Sequence, residues 1–499
     1  MRKQFSMLFF AIGVLVYSHS IWAQTTKPTP YNPDTQINRP KLQADFLVFR
    51  RSLEEAQASL YRYADKRVMD QRFDAAFASI NRNMTEREFY QILTLVLSAI
   101  RDGHSNAFLS KDFRSYINQS AKMFPLKLRF IGGRAYVLTS PQPSLAAGVE
   151  LLSINGRPLR QITSQLFRHL TSDGDIETGK FWKLNEQFSL YYYLFVEQPA
   201  RFRIVSYDRS KKKRQITEIS ALTQNEQNAL VKQKTESTPK VEKKPLRLER
   251  PASPQTSLLT IETFDDGAIE KAGQNFPQFL KSAFQEILER NTQDLIIDLR
   301  GNDGGADFGP LLFSYLTGKQ FRFVDHIEAA TAKPAFLLNY TQVGPDFLKR
   351  LAGSLSPNGK GRYIVRPESE LTLGWQQPQA VNYRNRVWFI TNGETFSATA
   401  MFCDVARSQR RGVFVGEETG GDYFGNSAGE FVVITLPETK IKILVALEEY
   451  WMAVSPGPKP GRGVIPDYSV QSSISDVLKG RDAELNFILR AIEKSRIRK

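Results

Sequence analysis

The chain has 499 residues, 41% of them hydrophobic and 24% charged, and a formal net charge of +15. That length is too great for one hydrophobic core, so two or three folded domains are expected. A single cysteine excludes a disulfide framework; the absence of His-Glu-x-x-His and Cys-x-x-Cys patterns gives no zinc site, and no metal or other cofactor is expected.

The first residues carry an address. Met1-Arg-Lys-Gln is basic, Phe5 to Tyr17 is apolar, and Ile21-Trp-Ala23 offers a cleavage site, so residues 1–23 read as a signal peptide and the protein as exported, periplasmic or secreted. The apolar run is short for a membrane span, and no cysteine follows it for lipidation. After a Thr/Pro-rich leader, helical periodicity runs from Leu42 to Leu109, with Tyr61, Tyr63, Phe73, Phe77 and Ile80 at apolar positions, predicting a helical domain within residues 24–122. It ends in Ile100-Arg-Asp-Gly-His104-Ser. The chain has four histidines, at 19, 104, 169 and 326. Imidazole titrates near neutrality, so His104 is the natural general base for any nucleophile, its alternative being a cap on the preceding helix. His169 reads as an exposed helix residue and His326 as a strand or loop residue.

Residues 123–222 alternate as short strands, including Leu126 to Phe130 and Ala135 to Thr139, before Leu151-Leu-Ser-Ile-Asn-Gly156, whose Asn-Gly marks a tight turn leading into a helix. Tyr191 to Phe195 reads as core. Arg209-Ser-Lys-Lys-Lys-Arg214 and the Lys, Glu, Pro and Gln-rich stretch within residues 223–254 read as a solvated hairpin tip and a basic linker. They lack aromatic interleaving, so no nucleic acid is expected, while peripheral contact with an anionic membrane surface stays open.

From residue 255 to 499 strands and helices alternate: a strand over Ser257 to Phe264, a helix over Ala268 to Arg290, strands over Leu295 to Leu299 and Arg386 to Thr391, a helix from Ser397, and a strand over Gly412 to Val415. Such βα repetition predicts a largely parallel sheet with its site at the strands' C-terminal ends. Two loops leave those ends. Asp294-Leu-Ile-Ile-Asp-Leu-Arg-Gly-Asn-Asp-Gly-Gly305 finishes in paired glycines that can aim a backbone N–H at a ligand, although a hairpin turn explains the pair as well. Val387-Trp-Phe-Ile-Thr-Asn-Gly-Glu-Thr-Phe-Ser397-Ala-Thr-Ala runs a buried strand into a helix with a serine at the junction, where first-turn amides have no internal partner. A helix cap is the plainer explanation of that serine. Cys403, behind it, reads as buried core.

In order, His104, the Leu151 to Gly156 segment, Asp298 to Gly305, Ser397-Ala398 and Gly463-Val-Ile-Pro-Asp467 resemble the tail-specific or C-terminal processing serine peptidases, and especially the relatives built like the tricorn protease core. The resemblance spans residues 85 to 475. It implies an α/β multidomain fold with a crotonase/ClpP-like catalytic core, an N-terminal helical part and a PDZ-like module. It also implies a serine endopeptidase acting on a peptide or protein, with Ser397 as nucleophile, His104 as base, and the amides of Ala398 and of Gly304 or Gly305 as oxyanion donors. The sequence departs from the pattern twice. Asp422, not lysine, follows the Gly416-Glu-Glu segment, which excludes the usual Ser-Lys dyad; Arg462 stands where the tricorn-like branch has a glutamate. An orienting acid must then come from Asp102, Glu448 or Glu449, or be missing, in which case the chain is a catalytically impaired, peptide-binding scaffold. An α/β-hydrolase esterase is disfavoured, since Ser397 lacks a Gly-x-Ser-x-Gly elbow. The peptidase reading requires His104 and Ser397 to be close in space.

Overall fold

The computed structural model describes residues 31–235, 244–251 and 255–497. The expected signal peptide lies outside these residues, as do 236–243 and 252–254 of the expected linker. Among the described residues no helix is long and apolar enough to cross a membrane.

Three helices open the chain, each started by a side chain that satisfies an orphan amide. Asn38 caps Arg39–Ala56, Asp65 caps Lys66–Ser79, and Thr85 with Glu88 forms a capping box on Glu86–Ile100. Their apolar faces meet over Phe46, Phe49, Phe73 and Leu93, all fully buried.

An antiparallel sheet follows, in the order Lys127–Ile131, Arg134–Thr139, Glu150–Ile154, Arg201–Asp208 and Lys213–Ser220, with Arg157–Pro158 paired to Glu150–Ile154. Asn155 and Gly156, both at positive φ, make the expected tight turn. The kinked helix Thr178–Phe195 packs on this sheet and buries Tyr192, Tyr193, Leu194 and Phe195, as the sequence implied.

The expected linker is not simply flexible. It contains the helix Gln224–Thr235 and the strand Leu246–Glu249, whose pairing with Thr256–Ile261 closes one edge of the central sheet and buries Leu246. That sheet runs Tyr468–Ser469, Val413–Gly416, Arg386–Thr391, Asp294–Asp298 and Thr256–Ile261, all parallel, before the antiparallel edge. The helix expected over 268–290 is two helices, Asp266–Lys271 and Phe276–Glu289. Gly273 turns left-handed between them and Asn275 caps the second, with Pro277 in its first turn.

A second sheet, entirely antiparallel, runs Asn106–Phe108, Lys442–Met452, Val324–Ala329, Tyr363–Val365 and Leu355–Pro357, with Ser427–Thr435 also on Lys442–Met452. Asn106–Phe108 begins two residues after His104, so its pairing with Leu444, Ile443 and Lys442 carries the N-terminal loop to the C-terminal sheets.

Candidate active site

Ser397 sits where the chain leaves the strand Arg386–Thr391 and enters the helix Ser397–Ser408. The turn between is tied internally: Thr395 donates its hydroxyl to the Leu299 carbonyl (3.0 Å), and the Phe396 amide donates to the Asn302 carbonyl (3.1 Å). Asn302, fully buried, locks the neighbouring loop to the same helix. Its Oδ1 accepts from the Gly304 amide (3.1 Å) and the Thr399 hydroxyl (2.6 Å), and its Nδ2 donates to the Ile261 carbonyl (3.1 Å). Ser397 itself holds φ +50, a left-handed backbone uncommon for a residue with a Cβ, and no side chain caps the helix.

The amides nearby divide into used and unused. Gly304 N–H is taken by Asn302, while among the described residues the amides of Gly305 and Ala398 donate to nothing. Gly304 and Gly305 need their missing side chains: a Cβ on the first would stand 2.6 Å from Ser397 Cβ, on the second 2.3 Å from the Phe264 carbonyl carbon. Gly305, Ser397 and Ala398 line one cleft, together with Asp307 and Phe431. The cleft is small, about 20 Å³, room for about one water.

His104 enters from the other end of the chain. Its Nε2 lies 3.1 Å from Ser397 Oγ across 293 residues of sequence, and the ring sits between Phe396 (centroids 4.6 Å) and Phe431 (5.4 Å). Burial, opposed by the charge of Asp102, lowers its pKa to about 4. The ring is therefore neutral at pH 7, the form that can accept a proton. Its Nδ1 is buried with no hydrogen-bond partner.

Of the three candidate acids, Asp102 is the one beside that nitrogen, with Oδ1 at 3.9 Å. Its carboxylate accepts from Gln57 Nε2 (2.8 Å) and from the hydroxyls of Ser59 (2.6 Å), Ser105 (3.1 Å) and Ser427 (2.8 Å), and from the His104 amide (2.9 Å). Glu449 is instead a buried ion-pair partner of Arg62 and Arg362, each at 3.0 Å. Glu448 accepts the Glu430 amide at 3.2 Å. Neither contacts His104, which corrects their candidacy: they stand on one strand, where adjacent side chains face opposite sides, and neither side leads to the ring.

Other residues also differ from expectation. His169 is packed inside, its Nδ1 3.0 Å from the Thr94 hydroxyl and its ring stacked 4.2 Å from Phe195, rather than exposed on a helix. Arg462 forms a two-pronged pair with Glu418, both contacts 2.7 Å. Asp422 anchors structure by accepting from the Tyr63 hydroxyl (2.7 Å) and the Gly461 amide (2.9 Å). Asp173, which accepts the Gly103 amide at 2.7 Å, and Lys183, which donates to the Thr171 carbonyl at 2.8 Å, pack behind the His104 loop. Burial raises Asp173 to about 7 and lowers Lys183 to about 8. Nothing in the sequence marked these two. Among the described residues, no group of three or more His, Cys, Asp or Glu side chains could hold a metal ion.

With this geometry, residues 255–470 match the model of Peptidase family S41. That stretch resembles an S41 peptidase domain, and the match supports a serine-type peptidase, a hydrolase with a peptide or protein substrate. Mature CPAF complexed with lactacystin is similar in fold, with 15% identity over 88% of this chain and 95% of that one and a TM-score of 0.60; mature CPAF alone gives the same identity and score, covering 94% of its chain. The tricorn protease aligns at 11% identity over 92% of this chain and 37% of its own, with a TM-score of 0.38. No curated protein sequence matches the chain. His104, whose Nε2 approaches Ser397 Oγ, lies outside the matched residues.

Proposed function

We propose that this chain is an exported serine endopeptidase that cleaves peptide bonds through a Ser397 acyl-enzyme, with His104 as general base and acid. The observation that carries this reading is the 3.1 Å approach of His104 Nε2 to Ser397 Oγ beside two unused amides. Ser397 Oγ attacks the scissile carbonyl as its proton passes to Nε2, and the oxyanion accepts from the N–H groups of Ala398 and Gly305. Collapse breaks the C–N bond, with Nε2 returning the proton to the leaving amine; water, deprotonated by the same nitrogen, then releases the acyl group. Asp102 supports the imidazolium electrostatically across its 3.9 Å gap. The Ser-His pairing fits the tricorn-core-like branch that the motifs resemble.

The helical part covers 24–122, the antiparallel module of 123–222 is PDZ-like, and 255–499 is a crotonase/ClpP-like catalytic core, joined through 223–254. Export rests on residues 1–23. The basic hairpin tip leaves contact with an anionic membrane surface open.

One observation favours a second reading, that of a catalytically impaired scaffold binding peptides: the unbonded Nδ1 of His104. Labelling with a fluorophosphonate decides between them. The folded protein is expected to label, and the Ser397→Ala protein not to; a folded protein that neither labels nor cleaves peptides is a scaffold.

A further inference from the structure

His104 stands on a loop that is held by residues far from it in sequence. Arg101, left-handed at φ +63, ends the helix Glu86–Ile100, and the residues after it need partners for their backbone groups. The segment 171–176, just before the helix Thr178–Phe195, supplies them. The Gly174 amide donates to the Arg101 carbonyl (2.9 Å), and Asp173 accepts the Gly103 amide on one oxygen (2.7 Å) and the Asp422 amide on the other (3.2 Å). The Asp175 amide donates to the Gly461 carbonyl at 2.8 Å. One short segment thus grips the loop that carries His104 together with two loops that follow Ser397 in the chain.

Lys183, on the helix Thr178–Phe195, extends this hold. Its Nζ donates to the Thr171 carbonyl (2.8 Å) and to the Thr171 hydroxyl (3.1 Å), and among the described residues it makes no ion pair. An ammonium only donates, so the Thr171 hydroxyl must accept from it and send its own proton onward, to Asn106 Oδ1 at 3.2 Å. With that oxygen engaged, Asn106 Nδ2 directs its protons to the carbonyls of Gly103 and His104, each at 3.2 Å. Lys183 therefore sets the polarity of a hydrogen-bond chain that ends on the backbone of His104 itself. A group able to accept as well as donate would leave the Thr171 hydroxyl without a fixed direction.

We propose that Lys183 is a positioning residue for His104, holding its loop through Thr171 and Asn106 and keeping a positive charge near it. The inference rests on His104 being the general base of the proposed mechanism. Two charged groups act on the ring: burial lowers it to about 4, Asp102 opposes that, and Lys183 adds to it. Lys183 is itself lowered by burial to about 8, with Asp173 and Asp102 favouring its charge and Lys180 opposing it, so it is mainly charged at pH 7. That charge favours the neutral, proton-accepting ring.

Full-length protein carrying ring-labelled histidine is titrated by NMR, with His104 assigned from the signal lost in His104→Gln. Lys183→Met should move the His104 midpoint upward, because a like charge is gone, and should lower kcat on a labelled denatured protein about tenfold or more with KM little changed. Thr171→Val breaks the chain but keeps the ammonium, so kcat should fall while the midpoint stays near its wild-type value; this variant also decides the matter should Lys183→Met not fold. An unmoved midpoint in Lys183→Met, or unchanged kcat per folded molecule in Thr171→Val, overturns the proposal, whatever the melting temperatures of the variants. A rising midpoint in Lys183→Met, combined with wild-type protein that neither labels with a fluorophosphonate nor cleaves, upholds the link from Lys183 to His104 and sinks the peptidase reading instead.

Discussion

Ser397 is a side chain in a backbone conformation that glycine would adopt more readily, and this has a measurable signature. Ser397→Ala keeps the left-handed φ of +50 with a Cβ, whereas Ser397→Gly relieves it. Both should be inactive, but the glycine protein should be more stable by about 1 kcal/mol in paired denaturant titrations, the usual cost of a left-handed L-residue. Equal stability would mean that the position carries no strain. Asp102 makes a second prediction. Asp102→Asn preserves shape but brings an amide into a site where every neighbour donates, and removes the charge facing Nδ1. We expect kcat to fall about a hundredfold or more with KM little changed, as for loss of an orienting carboxylate, and fluorophosphonate labelling to slow in step. A purely architectural Asp102 would lower stability and leave kcat per folded molecule untouched.

At the scale of elements, the site is a meeting of two strand ends and one imported loop. Gly304 is the tightest point of that meeting, since its Cβ would press on Ser397 at 2.6 Å and on the Ala398 amide at 3.1 Å. Gly304→Ala should therefore displace Ser397, reducing kcat/KM at least about a hundredfold while costing about 1–3 kcal/mol of stability. Full activity in that variant would mean that the loop is free to move. The strand ends were legible because apolar runs break there into Gly-Gly and into a serine, and the approach of His104 to Ser397 because the chain has only four histidines. The single helix expected after residue 268 was a misreading of continuous apolar spacing across Gly273 and Pro277. Asn302 carried no signal: an amide that bonds two loops and a helix acts through positions far apart in sequence. Glu448 and Glu449 misled because carboxylates adjacent in sequence look interchangeable, while a strand sends one against Gly429 and the Glu430 amide and the other to Arg62 and Arg362. The edge strand Leu246–Glu249 was hidden by the charge-rich stretch that precedes it.

The whole molecule stores buried groups held away from their ordinary ionisation, and their signs determine how stability follows pH. His104 and His169, both lowered by burial to about 4, bind fewer protons folded than unfolded between pH 4 and 6.5, so they add stability as pH rises through that window. Asp307, Glu394 and Glu448, raised by burial to about 7, 7 and 8, do the reverse: folded, they keep protons that the unfolded chain has released. Above pH 6.5 the histidines no longer contribute, so the melting temperature should fall from pH 6.5 to 8. The Glu448→Gln protein should show a shallower fall; an identical slope would mean that Glu448 is ionised in the native state.

The pairing of His104 with Ser397 also has a bearing on biosynthesis. A ribosome finishes His104 293 residues before it reaches Ser397, and the strand that anchors the His104 loop, Lys442–Met452, emerges later still. On the proposed mechanism a nascent or truncated chain consequently has no working pair with which to digest its neighbours or itself, and cleavage competence waits for Lys442–Met452.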